Sequence, residues 1–273
     1  MSDFVRRHPA LALFLLATSF GGLLVAPVVA GLAPPAFTQL GALSASAAGI
    51  ILAAIEGGRG AVRELLRRVL IWRVGLGWWA FVLFFPLVPA VTALWLAPQF
   101  GLARVDWSTL GPWYELIPPL VILTVFAGLG EEFGWRGFAV PRLRRRHTAL
   151  ITSLIIGGFH AAWHLPLFLV KGERYHGLAQ QLGFLPAFLG YAILVLALTV
   201  QITWIFINTR GSVLLVAVYH GATNAWNGYL DIERGQLVGV YAYLALMAVI
   251  STVIVLIAGP ATFARQVNSS RSP

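Results

Sequence analysis

The stretch GLGEEFGWRGF, residues 128–138, follows about fifteen mostly apolar residues and sets two adjacent carboxylates and an arginine among them. Why so apolar a chain places Glu131, Glu132 and Arg136 there governs how everything around them is read. Of the 273 residues 59% are hydrophobic and 11% charged, and the mean hydropathy is +0.81; soluble domains carry roughly 25% charged residues. The charges bunch into short segments, leaving uncharged runs long enough to cross a hydrocarbon core of ~30 Å. The expected fold class is therefore all-α: a polytopic membrane protein, residues 1–273 forming a single transmembrane domain, with about eight transmembrane helices surrounding an intramembrane cavity.

Eight apolar runs fall at about 10–33, 37–55, 74–97, 112–133, 148–170, 180–207, 211–229 and 237–259, each near the ~20 residues a spanning helix needs. Between the second and third, GGRGAVRELLRRVLIWR (57–73) reads as an amphipathic basic helix lying on the membrane surface. With eight spans, Arg6, Arg7, the arginines of 59–73, Arg136, Arg142, Arg144, Arg145, Arg146, Arg210, Arg265 and Arg271 all fall on one side. The other side receives Arg104 with Asp106, Lys171 and Arg174 with Glu173, and Arg234 with Asp231 and Glu233. The positive-inside rule then predicts an integral protein of a bacterial cytoplasmic membrane with both termini in the cytoplasm. Val28-Val29-Ala30 loosely resembles a signal cleavage site, but a first run of about 24 residues favours an uncleaved anchor. Trp78, Trp79, Trp95, Trp107 and Trp113 sit near span ends, where interfacial anchors belong.

Cysteine is absent, so any metal would be held by His, Glu, Asp or Asn. Nineteen basic against ten acidic residues do not indicate nucleic acid, because the arginines lie between apolar runs instead of forming one face with stacking aromatics. The lipid bilayer is the expected partner.

The ionisable groups inside or at the edge of runs are few: Glu131 and Glu132 in the fourth, His160 and His164 in the fifth, and His220 with Asn224 in the seventh. Each charged one costs at least ~2.5–3.5 kcal/mol to insert, so such groups normally face protein or a wet cavity. Spacing of four puts Glu132 and Arg136 on one helix face, acid first, while Glu131 points about 100° away. A carboxylate without a cationic partner is suited to take a proton from water. His160 and His164 share a face ahead of Pro166, as do His220 and Asn224 on their own run. A base, a histidine to hold a water or a metal, and a second histidine with an amide aimed at an oxyanion suffice for peptide hydrolysis. Taken singly, Glu132 with Arg136 reads as a structural pair, His160 as a core histidine, and Asn208 and Asn227 as helix-end caps.

These residues resemble a known family. EEFGWRG (131–137) is similar to the EExxxR motif, AAWHLP (161–166) to the second motif and HGATN (220–224) to the HxxxN motif of the CPBP or ABI family, the CAAX-protease and bacteriocin-processing intramembrane proteases. The second motif usually reads FxxxH; here His160 holds the Phe position, either as a further polar ligand or as a replacement for the aromatic. The resemblance implies an intramembrane endopeptidase like the type II CAAX prenyl endopeptidases. In it Glu131 activates water, Glu132 and Arg136 support it, His164 binds that water or a metal, and His220 and Asn224 stabilise the oxyanion. It also implies a cavity open to the cytosol and a peptide or prenylated protein substrate. A zinc or other divalent metal on Glu131, His164 and His220 and a metal-free, glutamate-dependent reaction both fit these residues. Two other classes fit as well: a proton-coupled transporter, and a catalytically silent immunity or scaffold protein.

On straight helices the runs put Glu131 ~10 Å, His220 ~12 Å and His164 ~24 Å from the basic side. The site therefore assembles only if the fifth run starts deeper, with 142–151 helical, or bends at Gly157-Gly158.

Overall fold

The computed structural model describes residues 2–101, 107–231 and 237–264, and every regular element among them is helical. Arg104, Asp106, Glu233, Arg234, Arg265 and Arg271 lie outside the described residues. After a short helix, Ser2–Arg7, come α1 (Pro9–Val29), α2 (Thr38–Arg67), α3 (Leu76–Phe100), α4 (Trp113–Leu143) and α5 (Ala149–Trp163). They are followed by α6 (Arg174–Leu182), α7 (Phe184–Asn208), α8 (Val213–Tyr229) and α9 (Leu237–Ala258). Seven stretches are long and apolar enough to cross a membrane, those of α1–α5, α7 and α9. The seventh run of the sequence, α8, is a helix of 17 residues. Every residue from Leu215 to Thr223 on it is buried, as expected of a helix enclosed on all sides by others.

The basic stretch after the second run is set off by a bend. Gly57 and Gly58 leave helical geometry, Gly58 at φ +60°, which a side chain would resist. The chain resumes as helix to Arg67 and closes with a tight turn, Arg68–Leu70. Arginines from distant parts of the sequence meet at this end of the bundle. Arg142 Nε donates to Glu56 Oε2 at 2.6 Å, Arg146 to the Arg7 carbonyl at 3.1 Å, and Arg144 to the Ala261 carbonyl at 2.9 Å. Arg210 donates to the Arg73 carbonyl and Ser212 to that of Ile71. Among the described residues these basic segments therefore share one end of the bundle.

Two expectations shift. The fourth span does not stop near residue 133: α4 continues to Leu143, because Gly134, Trp135, Gly137, Phe138, Ala139 and Val140 are all buried and keep it inside the protein. Arg136 is consequently no loop cation; it lies within the bundle, fully buried. Among the tryptophans, Trp95 and Trp113 are exposed near span ends as anchors, whereas Trp78 turns inward against Trp204, ring centroids 5.1 Å apart.

Packing differs along the bundle axis. Toward the arginine-bearing end, Leu65, Trp135, Phe138, Ile205, Phe206 and Leu215 belong to one continuous buried cluster. The other half holds the cavity, beside smaller buried clusters such as Val25, Val28 and Val170.

Candidate active site

The sharp approach of α4 to its neighbours comes from glycine. A β-carbon at Gly134 would collide with the Ala45 carbonyl of α2, and one at Gly128 with the Ala217 backbone of α8. Small residues let membrane helices come this close, without which their polar groups could not meet. At each of these contacts α4 widens into a π-type turn, Thr124–Leu129 and Phe133–Ala139, on either side of Glu131 and Glu132. Such turns are over-represented at functional sites because the added residue re-aims side chains.

Two connected clusters result. Glu132 Oε1 accepts from Arg136 Nη1 at 3.0 Å and from His220 Nδ1 at 2.9 Å, and Arg136 Nη2 donates to Thr199 Oγ1 at 3.1 Å. The i,i+4 pair expected from spacing is present and carries a histidine on a third helix. Glu131 is the other centre. The residue it meets is His160, whose Nε2 stands 2.7 Å from Oε2; with Glu131 ionised the ring proton is on Nε2, since a carboxylate only accepts. Trp135 stacks on His160 with centroids 5.1 Å apart, fixing the ring plane. His164, one turn on, donates from Nδ1 to the His160 carbonyl at 2.9 Å. Its Nε2 is left as an acceptor, and its ring packs edge-on against Tyr191 at 5.2 Å.

The depth mismatch therefore resolves differently from either remedy the sequence suggested. Helix α5 starts at Ala149, capped by Thr148, and 144–148 are not helical. What changes is that α4 runs twelve residues past Glu131, and that His160 rather than His164 comes level with it. Glu131 is thus not without a partner: His160, at the position of the usual aromatic, meets its carboxylate.

The same geometry alters the set of groups that could hold a metal. Ligand atoms of Glu131, His160 and His164 lie within 4.8 Å of one another. His220, grouped with Glu131 and His164 on sequence, is turned to Glu132 instead. Two imidazoles, a carboxylate and an open position suit a divalent ion such as zinc. His164 has the fixed Nδ1–H that ligating histidines usually show, whereas His160 Nδ1 is buried without a partner among the described residues.

Both clusters border a cavity of about 310 Å³. Arg136, Thr199, His160 and His220 line its inner end, and Thr38, Gln39, Glu173 and Arg174 its outer end, opposite the arginine-bearing end of the bundle. Thr38 Oγ1 donates to Glu173 Oε1 at 2.6 Å across that outer rim. Asn224 lines the cavity one turn along α8 from His220. Asn227 is no helix-end cap: it lines the cavity and donates to Tyr243 Oη at 3.1 Å. Asn208 does close a helix end, joining the Trp204 and Phe263 carbonyls. Sequence reasoning missed Thr199 and Tyr191, although both are polar side chains in an apolar helix, eight residues apart on the face that α7 turns to the cavity.

Comparison with known proteins agrees with these motifs. The chain is 29% identical over 154 residues to the CAAX prenyl protease 2 of Methanococcus maripaludis, a match covering 55% of this chain and 56% of that relative, so the chain spans about half the length of the curated relative it matches. Residues 112–226, which hold Glu131, Glu132, Arg136, His160, His164, Thr199, His220 and Asn224, match the model of the type II CAAX prenyl endopeptidase Rce1-like family, and it is to this family that the segment carrying these residues is related.

Proposed function

We propose that the protein is an intramembrane endopeptidase that hydrolyses a peptide bond with water activated by Glu131. The observation that carries this reading is the meeting of Glu131, His160 and His164 at the inner end of a cavity inside an otherwise apolar bundle. Water held between Glu131 and the free Nε2 of His164 gives a proton to Glu131 as its oxygen bonds to the scissile carbonyl carbon. The resulting oxyanion lies toward His220 and Asn224. A doubly protonated His220, braced at Nδ1 by Glu132, offers Nε2–H, and the Asn224 amide offers a second donor. Collapse of the intermediate breaks the C–N bond, and the proton on Glu131 passes to the leaving amine. Arg136 and Thr199 hold Glu132, and through it His220, in place.

If a divalent ion is bound, Glu131, His160 and His164 would hold it, and it would supply a more acidic water at the same position. The matched family and the name of the archaeal relative support a peptide substrate near a C terminus, prenylated or not. The test uses purified protein in nanodiscs with quenched peptides, farnesylated and unmodified, with and without chelator. Wild type is expected to cleave, and Glu131→Gln, His164→Ala and His220→Ala to lose cleavage while keeping their melting temperature. Undiminished cleavage by all three variants would overturn the assignment.

A further inference from the structure

From Thr38 to the bend at Gly57-Gly58, α2 rises ~30 Å, so the bend falls where one crossing of the hydrocarbon ends. Beyond it the helix is held to the bundle by one side only. Leu65 is buried against Gly137 of α4, where an added β-carbon would collide with it. On the outer side Arg59, Arg63 and Arg67, four apart, follow one line along the helix, and Val62, Leu66 and Leu70 follow the next. The three arginines, Leu66 and Leu70 are all exposed. Together with Ala54, exposed on α2 ahead of the bend, these residues line one open groove.

The two acids of this region are already committed: Glu56 accepts from Arg142, and Glu64 pairs with Arg68 at 3.4 Å. Arg59, Arg63 and Arg67 have no acidic partner among the described residues. A guanidinium fork matches the oxygens of a phosphate with two parallel bonds, and a basic amphipathic helix at the interface attracts anionic headgroups. The leucines beside the arginines call for an apolar chain at the same place. One molecule meets both demands. We propose that the groove binds a single anionic phospholipid, its phosphate on Arg59, Arg63 and Arg67 and an acyl chain running past Leu66 and Leu70 to Ala54. An acidic protein would satisfy the arginines but not the part of the groove at Ala54, which lies ahead of the bend and within the apolar crossing. The site requires neither the endopeptidase reading nor a particular side of the membrane.

Native mass spectrometry of the full-length protein, released from detergent in about 0.15 M ammonium acetate, tests this by titration with phosphatidylglycerol and with phosphatidylcholine. At that ionic strength charges more than ~8 Å apart are largely screened, so a local site is told from the overall positive charge. Phosphatidylglycerol is expected to fill one saturable site that phosphatidylcholine does not. Combined Arg59→Gln, Arg63→Gln and Arg67→Gln should weaken it about a hundredfold, and Arg63→Gln alone about fivefold, which serves if the triple variant fails to fold. A control triple, Arg7→Gln, Arg145→Gln and Arg146→Gln, removes the same charge outside the groove and should keep wild-type affinity. Leu66→Ser with Leu70→Ser should also weaken the lipid, and an equal concentration of inorganic phosphate should not displace it. Equal binding of the two lipids, wild-type affinity in the arginine variants, or an equal loss in the control overturns the proposal. Displacement by phosphate, or no effect of the leucine changes, overturns it in favour of a site for phosphate alone.

Discussion

The two halves of the bundle use the same apolar composition for opposite ends. In the arginine-bearing half, Trp135, Phe138, Leu215 and their neighbours fill the space between helices. In the other half the helices enclose a cavity, and the polar residues collect where one half gives way to the other. The filled half supplies rigidity, and the hollow half supplies access. Glu132, Arg136 and Thr199 sit at the junction, so the network that orients His220 is held by the packed half and read out in the open one.

This division can be broken deliberately. The largest effect is expected from Arg136→Met, which leaves Glu132 buried without its cation; removing one partner of a buried pair costs about 3–5 kcal/mol. Thermal unfolding in detergent should register it, and Glu132→Gln combined with Arg136→Met should recover part of the loss. A full melting temperature in Arg136→Met would mean the junction does not depend on this pair. Next comes Glu131→Gln, with cleavage down about 10³-fold, or about 4 kcal/mol in barrier, at unchanged stability. A separation of roles should follow between Phe138→Ala and Tyr191→Leu. The first should cost about 3 kcal/mol of stability by leaving a void in the packed half, with activity per folded molecule preserved. The second should leave the melting temperature within about a degree and raise KM, since Tyr191 borders the cavity against His164. If Tyr191→Leu unfolds the protein while Phe138→Ala does not, the assignment of stability to one half and access to the other is reversed. The smallest change is expected for Thr38→Val, which removes one hydrogen bond to Glu173, about 1 kcal/mol. Faster labelling of a cysteine at the outer rim would reveal the loosened opening.

Local rules carried the sequence reading a long way. The Glu132–Arg136 pair follows from spacing alone, and the bend at Gly57-Gly58 falls where the basic segment departs from the second run. Less legible was α4 beyond residue 133. An arginine there reads as the end of a span, and only its neutralisation by Glu132 inside the bundle shows that the helix continues. Taken alone, His160 reads as a core residue for a related reason: its surroundings depend on which residue of α4 comes level with it.

By itself the sequence determined the membrane class, the apolar runs, the grouping of the basic segments and the few costly polar residues to be accounted for. These follow from composition, length and helical period, which are properties of one segment at a time. The tertiary structure decided that Glu131 meets His160, that His220 meets Glu132, that Thr199 braces Arg136, and that Arg136 and Arg174 come to line one cavity from its two ends. Each of those depends on the relative depth and crossing of separate helices. That relation is set where Gly134 and Gly128 let backbones touch, a contact between segments that no period within one segment encodes.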